Sequence, residues 1–167
     1  MRNHPIAAIA TPPGSGGVGI IRVSGRNLVG LAELLLANPP KPRFAHHLYL
    51  NDSHGNRLDE VLLIYFKGPA SFTGEDVLEL HCHGGAFLTQ MILNRVIELG
   101  RNWDIVQAEA GEFSLRAYLN GKIDLAQAEA IADLIDSASR TAAKAARRSL
   151  QGRFSDMVLA LNAEVTA

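Results

Sequence analysis

Six short runs along the first two thirds of the chain are rich in branched or aromatic residues and are bounded by turn residues. Their composition predicts strands at Ile6 to Ala10, Gly19 to Ser24, Leu48 to Leu50, Val61 to Phe66, Val77 to Cys82 and Ile105 to Ala108. The loop TPPGSGG separates the first two runs, since proline and glycine are unfavourable inside strands. The polar turn NDSHGNR separates the third and fourth runs and predicts a β-hairpin.

Two segments between these strands have the spacing of helices. Asn27 to Leu36 carries leucines on one side, and Asn27 is placed to cap its start. Ala86 to Leu99 also has apolar residues along one side and is followed by Gly100. Both segments are therefore predicted to pack on the sheet.

The last third of the chain is helical in pattern. Residues Asp124 to Thr166 contain no proline and only one glycine, which predicts one or two long helices. A continuous helix of this length would extend about 65 Å, whereas a domain of about 120 residues has a radius of gyration near 14 Å. We therefore predict an α+β fold, with a mixed β-sheet and flanking helices in residues 1–121. Residues 122–167 are predicted to begin a helical domain of a longer protein.

Composition limits the classes of protein that this chain can belong to. Its residues are 47% hydrophobic and 20% charged, and no apolar run approaches the roughly 18 residues that cross a bilayer. The single cysteine, Cys82, excludes an internal disulfide, and the N-terminal apolar stretch is too short for a signal peptide, so we expect a cytoplasmic protein without membrane contact. The net charge of −1 provides no overall attraction for nucleic acid.

The glycine-rich loop from Gly14 to Gly19 superficially resembles a phosphate-binding loop. It lacks the Lys-Ser/Thr pair of a P-loop, and a strand is predicted after it instead of a helix. The glycines are better explained by a close approach of the backbone to a ligand or partner.

Arg22 is a charged residue within an apolar strand. Alternation places Ile21 and Val23 on one face and Ile20, Arg22 and Ser24 on the other. Arg22 is therefore either an edge-strand arginine paired with a carboxylate or an anchor for an anionic ligand.

The segment SFTGEDVLELHCHGG contains the densest polar chemistry. Alternation places Cys82 with the core leucines and places Glu79, His81 and His83 on the opposite face. No motif that would add a third histidine or a cysteine ligand to this pair supports a metal site, so none is predicted. A partly buried Glu79 is suited to accept paired hydrogen bonds from an amino-pyrimidine ring, and Cys82 is interpreted as a buried apolar residue.

A glycine also interrupts the segment GEFSLRAYLNGKIDL. Gly121 is predicted to end a short helix, with Asp124 in the first turn of the next helix. This places Lys122 in a tight junction where a domain hinge is expected to meet the sheet, and such junctions often hold ligands.

Four blocks, ATPPGSGGVGIIRVSG, SFTGEDVLELHCHGG, GEFSLRAYLNGKIDLAQAEAIADLI and SLQGRFS, resemble the MnmE (TrmE) family in order and spacing. Members of that family are cytoplasmic GTPases that act with the flavoprotein MnmG to install an aminomethyl-type group at carbon 5 of the wobble uridine of tRNA. A tetrahydrofolate derivative, 5-formyl- or methylene-tetrahydrofolate, is their one-carbon cofactor.

The resemblance also implies a fold, a partner and site residues. The family's N-terminal domain is similar to the folate-binding fold of aminomethyltransferases and forms a homodimer. Arg22, Glu79 and Lys122 occupy the motif positions that contact the folate, with Glu79 assigned to the pterin. GTP, magnesium and potassium would bind a GTPase domain whose motifs are missing from this sequence, so no catalytic residue is assigned and these residues alone are expected to be inactive.

Two other functions compete with this interpretation. One is a stand-alone folate-dependent aminomethyltransferase, which the helical C-terminal segment disfavours. The other is a structural dimerisation domain without a ligand, which the intact Arg22, Glu79 and Lys122 disfavour.

Overall fold

The structure is a computed structural model that describes residues 4–14, 16–136 and 150. It contains two compact units, Met1–Ala110 and Gly111–Ala167. The described part of the first unit contains, in order, β1 (Ile6–Ile9), β2 (Val18–Gly25), α1 (Val29–Leu36), β3 (Ala45–Asn51), β4 (Arg57–Phe66), β5 (Asp76–His83), α2 (Ala86–Leu99) and β6 (Val106–Gln107).

The six strands form one sheet in the order β3-β4-β5-β2-β1-β6. Strands β1 and β6 are parallel, and the other neighbours are antiparallel. The sheet is therefore mixed, which confirms the predicted α+β class. The predicted hairpin is present, but β3 and β4 are longer than the apolar runs because pairing continues through polar residues at their solvent-facing positions.

The core lies between one face of the sheet and helices α1 and α2. Its fully buried side chains include Ile21, Leu63 and Leu80, which are cross-strand neighbours on three central strands. Ile92 and Leu93 of α2 belong to the same cluster. Burying a side chain of this size stabilises a fold by about 1.5–3 kcal/mol, so this face accounts for much of the stability of the unit.

The start of α1 differs from the prediction. Asn27 has a φ of 58° and does not cap the helix, which begins at Val29. The backbone N–H of Leu28 instead donates to Asp76 Oδ2 at 3.2 Å, so a carboxylate from β5 bonds the amide at the helix start. Leu34, on the predicted apolar side, is 55% exposed.

In the second unit, α3 (Glu112–Leu119) ends at the predicted glycine. Gly121 has a φ of 66°, and its N–H donates to Tyr118 O, while Lys122 N–H donates to Ala117 O at 2.8 Å. These two bonds form a Schellman motif, in which the left-handed residue is normally glycine because it has no Cβ.

The next helix, α4 (Leu125–Asp136), begins one residue later than predicted. Asp124 precedes the helix, and its Oδ1 accepts a bond from Gln127 N–H while Gln127 Oε1 accepts one from Asp124 N–H. This reciprocal pair is a capping box, so the carboxylate acts as the cap and not as a first-turn charge.

The long helix predicted for Asp124 to Thr166 is confirmed as far as Asp136, and its remainder lies outside the described residues except for Leu150. Three apolar side chains of α4 are exposed: Leu125, Leu134 and Ile135. None of the helices within the described ranges is long and apolar enough to cross a membrane.

Candidate functional site

The structure brings Arg22 and Glu79 together across strands β2 and β5. The two residues are direct partners in the antiparallel register. Glu79 Oε1 accepts a hydrogen bond from Arg22 Nε at 2.9 Å and lies 2.7 Å from Arg22 Nη2 in an ion pair. The alternative of a carboxylate-paired arginine is therefore correct as to the pairing but wrong as to an edge strand, because β2 lies between β5 and β1.

This ion pair lies on the sheet face opposite the core helices. The Glu79 side chain is 15% exposed and that of Arg22 is 31% exposed, so the carboxylate is the more buried partner. Its cross-strand neighbour on the other side is Ile64 of β4. Charged hydrogen-bond donors strongly stabilise a partly buried carboxylate among apolar neighbours, because water reaches the carboxylate only in part.

Glu79 has a second polar neighbour, His81. His81 Nε2 lies 3.3 Å from Glu79 Oε2, two residues further along the same strand face. The predicted alternation along β5 is confirmed, since Leu78, Leu80 and Cys82 are buried on the opposite face.

A buried hydroxyl network lies beside the ion pair, and sequence reasoning missed it. Ser24 Oγ donates to Glu75 Oε2 at 2.8 Å and lies 2.6 Å from Thr73 Oγ1. Ser24 and Thr73 are fully buried. An unsatisfied buried hydroxyl costs about 1–3 kcal/mol, so these bonds stabilise the loop before β5 next to Arg22. The polar turn residues directly before β5 were the feature of the sequence that could have predicted this network.

Lys122, the third predicted site residue, lies in the second unit. It directly follows the Schellman glycine and is exposed. Its predicted role toward a ligand and its predicted place beside the sheet stay predictions, while the tight turn at Gly121 that precedes it is confirmed.

Cys82 is confirmed as a buried residue. Its Sγ lies 3.3 Å from Gly19 O, and burial, followed by the negative charge of Asp59, raises the pKa of the thiol to about 11. Cys82 is therefore a thiol at neutral pH and has no nucleophilic character.

Asp59 and His83 form a second pair, and Asp59 was not identified from sequence. The buried Asp59 accepts bonds from His83 Nδ1 at 2.8 Å and from His83 N–H at 2.9 Å. The hydrogen bond and charge of Asp59 raise the pKa of His83. Burial acts to raise the pKa of Asp59, but the bonds from His83 outweigh it and the pKa is lowered.

This pair is expected to make stability depend on pH in two opposite directions. The His83 contribution is fully present below the ordinary imidazole pKa of 6.5 and is lost as pH rises through the higher folded value. The Asp59 contribution is present above its ordinary pKa of 3.8 and is lost as pH falls through the lower folded value. The difference in melting temperature between the unmodified chain and Asp59→Asn should therefore be largest between about pH 4 and 6.5. A difference independent of pH would contradict this.

The glycine loop approaches another part of its own chain. A Cβ on Gly84 would overlap the Gly16 carbonyl, and Gly84 N–H donates to Gly17 O at 3.3 Å. The close approach inferred from the glycines is therefore explained, at least in part, by contact between the β1–β2 loop and the start of α2. As predicted, a strand follows the loop.

A metal centre finds no support in the part of the chain that the structure describes. Among those residues, no group of three His, Cys, Asp or Glu side chains is placed to hold a metal ion. The His-x-His pair divides instead between two carboxylates, His81 with Glu79 and His83 with Asp59.

Comparison with known proteins gives consistent matches. The family model described as GTP-binding protein TrmE N-terminus matches residues 5–122. The tRNA modification GTPase MnmE of Polynucleobacter asymbioticus is 54% identical over 165 residues, which are 99% of this chain and 36% of that protein. The MnmE proteins of Methylococcus capsulatus and Neisseria meningitidis are 55% and 56% identical over 150 residues, which are 90% of this chain and 33% of theirs.

The chain thus spans about a third of the length of these curated relatives. The family match includes β1 to α3, and with them Arg22, Glu79 and Lys122. Because the match extends over more than half of the chain, the chain belongs to the family of the GTP-binding protein TrmE N-terminus.

Proposed function

We propose that this chain is the N-terminal part of a tRNA-modifying GTPase of the MnmE type. Together with MnmG, the whole protein would add an aminomethyl-type group at carbon 5 of the wobble uridine of tRNA. The relatives that carry the name tRNA modification GTPase support this proposal. GTP, magnesium and potassium would bind a domain outside these 167 residues.

The chain's own contribution is binding of a tetrahydrofolate derivative, the group that supplies the one-carbon unit. The observation that carries this proposal is the Arg22–Glu79 pair on a half-exposed sheet face. A pterin has an amino group and a ring nitrogen that donate hydrogen bonds, and a charged carboxylate accepts such bonds more strongly than a neutral group does. Glu79 Oε2 keeps most of its acceptor capacity, because its only contact among the described residues is the long one to His81. The residues present therefore fit the pterin.

The side chains of Arg22 and Lys122 supply positive charge to the ligand in this proposal. Arg22 orients Glu79 and offers positive charge to the carbonyl or carboxylate oxygens of the ligand. Lys122 is proposed for the same class of oxygen atoms. A stand-alone aminomethyltransferase remains the alternative function, and tRNA modification by a longer protein containing this chain distinguishes the two.

Isothermal titration of the chain with 5-formyltetrahydrofolate tests the binding proposal. We expect saturable one-site binding per chain and no heat from GTP, because the chain lacks a P-loop lysine. Binding of GTP, or absence of folate binding in a folded sample, would contradict the assignment.

We also propose that the chain forms a homodimer through its sheet-containing unit. Three large apolar side chains are exposed on the face that carries Glu79: Val18, Tyr49 and Leu62. Large exposed apolar side chains on one face are typical of protein interfaces. Sedimentation velocity at tens of micromolar with folate present should give the mass of a dimer, and a strict monomer would count against the proposal.

A further inference from the structure

The two oxygens of Glu79 are held in different ways. Oε1 accepts a hydrogen bond from Arg22 Nε at 2.9 Å and lies 2.7 Å from Arg22 Nη2, whereas Oε2 is 3.3 Å from His81 Nε2. The close contacts of Arg22 are therefore with Oε1, and the contact of Oε2 with His81 is a longer one. An ionised carboxylate only accepts hydrogen bonds, and Nε2 of His81 is therefore the donor in this contact.

His81 is itself confined by apolar neighbours. It lies opposite Ile20 on β2 and opposite Leu62 on β4, so both sides of its backbone position carry branched side chains. Its side chain is about 29% exposed, and its nearest polar partner among the described residues is Glu79. Cross-strand neighbours of this kind can pack against the imidazole, and its Nε2 lies 3.3 Å from Oε2 of Glu79.

The arginine–carboxylate geometry shows what this contact prevents. Guanidinium and carboxylate groups frequently pair through two parallel bonds, one to each oxygen. Here the contacts of Arg22 Nε and Nη2, at 2.9 and 2.7 Å, are both with Oε1. A donor at Oε2 opposes the rotation of the carboxylate that would give Arg22 both oxygens.

We infer that His81 is a positioning residue, which keeps Oε2 of Glu79 turned away from Arg22 and directed toward the pterin ring of a bound tetrahydrofolate. This inference rests on the proposed function. The long 3.3 Å contact suits the role, because a weak bond positions the oxygen before the ligand binds and is easily exchanged for a better donor from the ligand.

The test compares His81→Leu with His81→Gln by titration with 5-formyltetrahydrofolate. Without this contact the carboxylate can turn toward Arg22 before the ligand binds, and this loss of preorganisation predicts about 2- to 10-fold weaker binding for His81→Leu. The amide of His81→Gln retains an N–H donor and should restore affinity to within about 2-fold of the unmodified chain. Both variants should melt within a few degrees of the unmodified chain, and if His81→Leu melts early, His81→Ala provides the same comparison.

His47→Leu is the matched control. His47 lies on the same sheet face, and its Nε2 contacts the carboxylate of Glu60 at 2.7 Å, but it lies on β3, and its carboxylate partner is Glu60 and not Glu79. It should leave folate affinity unchanged. An equal loss in His47→Leu and His81→Leu would assign the effect to the general charge of the face and overturn the inference.

A double-mutant cycle separates an action through Glu79 from a direct contact with the ligand. In the Glu79→Ala background, measured by NMR at millimolar folate, adding His81→Leu should cause no further loss. A full further loss would mean that His81 contacts the ligand independently, and unchanged affinity of His81→Leu alone would also overturn the inference. Failure of the unmodified chain to bind folate would instead refute the proposed function on which the inference rests.

Discussion

Replacement of Glu79 by alanine is expected to weaken tetrahydrofolate binding by about 30-fold to several thousand-fold, with almost no change in melting temperature. Truncating one partner of a desolvated, charge-assisted pair costs roughly 2–5 kcal/mol. The substitution removes no core atom, because Glu79 lies on the face opposite Leu78 and Leu80. Calorimetric titration of the purified variant beside its thermal melt measures both quantities.

The ion pair with Arg22 makes a structural role for Glu79 the main competitor. The Arg22 side chain is 31% exposed, so water can hydrate the guanidinium once the carboxylate is removed, and little stability should be lost. Glu79→Gln should bind with intermediate affinity. Its amide oxygen still accepts a hydrogen bond, but its NH2 group faces a hydrogen-bond donor of the pterin. If both variants melted early and affinity followed the folded fraction, Glu79 would be only a structural partner. Unchanged folate affinity in a folded Glu79→Ala chain would reject the assignment.

Replacement of the adjacent Leu80 by alanine is expected to have the opposite effect. Leu80 is fully buried and is the cross-strand neighbour of Ile21 and Leu63. Truncation of a buried leucine costs about 2–5 kcal/mol through lost burial and the cavity left behind. Denaturant unfolding should show this decrease, while the folded fraction binds folate with unchanged affinity.

Glu79→Ala and Leu80→Ala are controls for each other, since both shorten a side chain of the same strand on opposite faces. A loss of less than about 1 kcal/mol in Leu80→Ala would mean that the helix-covered face contributes less than its burial implies. A specific loss of folate affinity in Leu80→Ala would mean that the two faces are coupled.

Local patterns predicted much of the site. The faces of β2 and β5 follow from the two-residue alternation of side chains, which depends only on an extended backbone. That alternation correctly separated Arg22 and Glu79 from the core and placed Cys82 within it. The left-handed glycine at Gly121 was likewise predictable, because its conformation excludes most other residues.

Local patterns failed where a distant residue supplied the partner. Asn27 looked like a helix cap, but Asp76, 48 residues from Leu28, bonds the amide at the start of α1. Asp59 looked like one more polar residue of a hairpin, yet it lies 24 residues from His83 and sets the pKa of that imidazole. Ser24 lies on the predicted outer face and is nevertheless fully buried, because the loop carrying Thr73 covers it.

The sequence by itself determined the class of fold, the segments that form strands and helices, and the face on which each candidate residue lies. These properties depend on side chains a few residues apart, through alternation, helical periodicity and the conformations allowed to glycine. Only the tertiary structure decided that β2 lies inside the sheet and that Arg22 meets Glu79, 57 residues away, with His81 at the second oxygen. Strand order and register are chosen by burial of the whole apolar face at once, and no short segment of the chain contains that information.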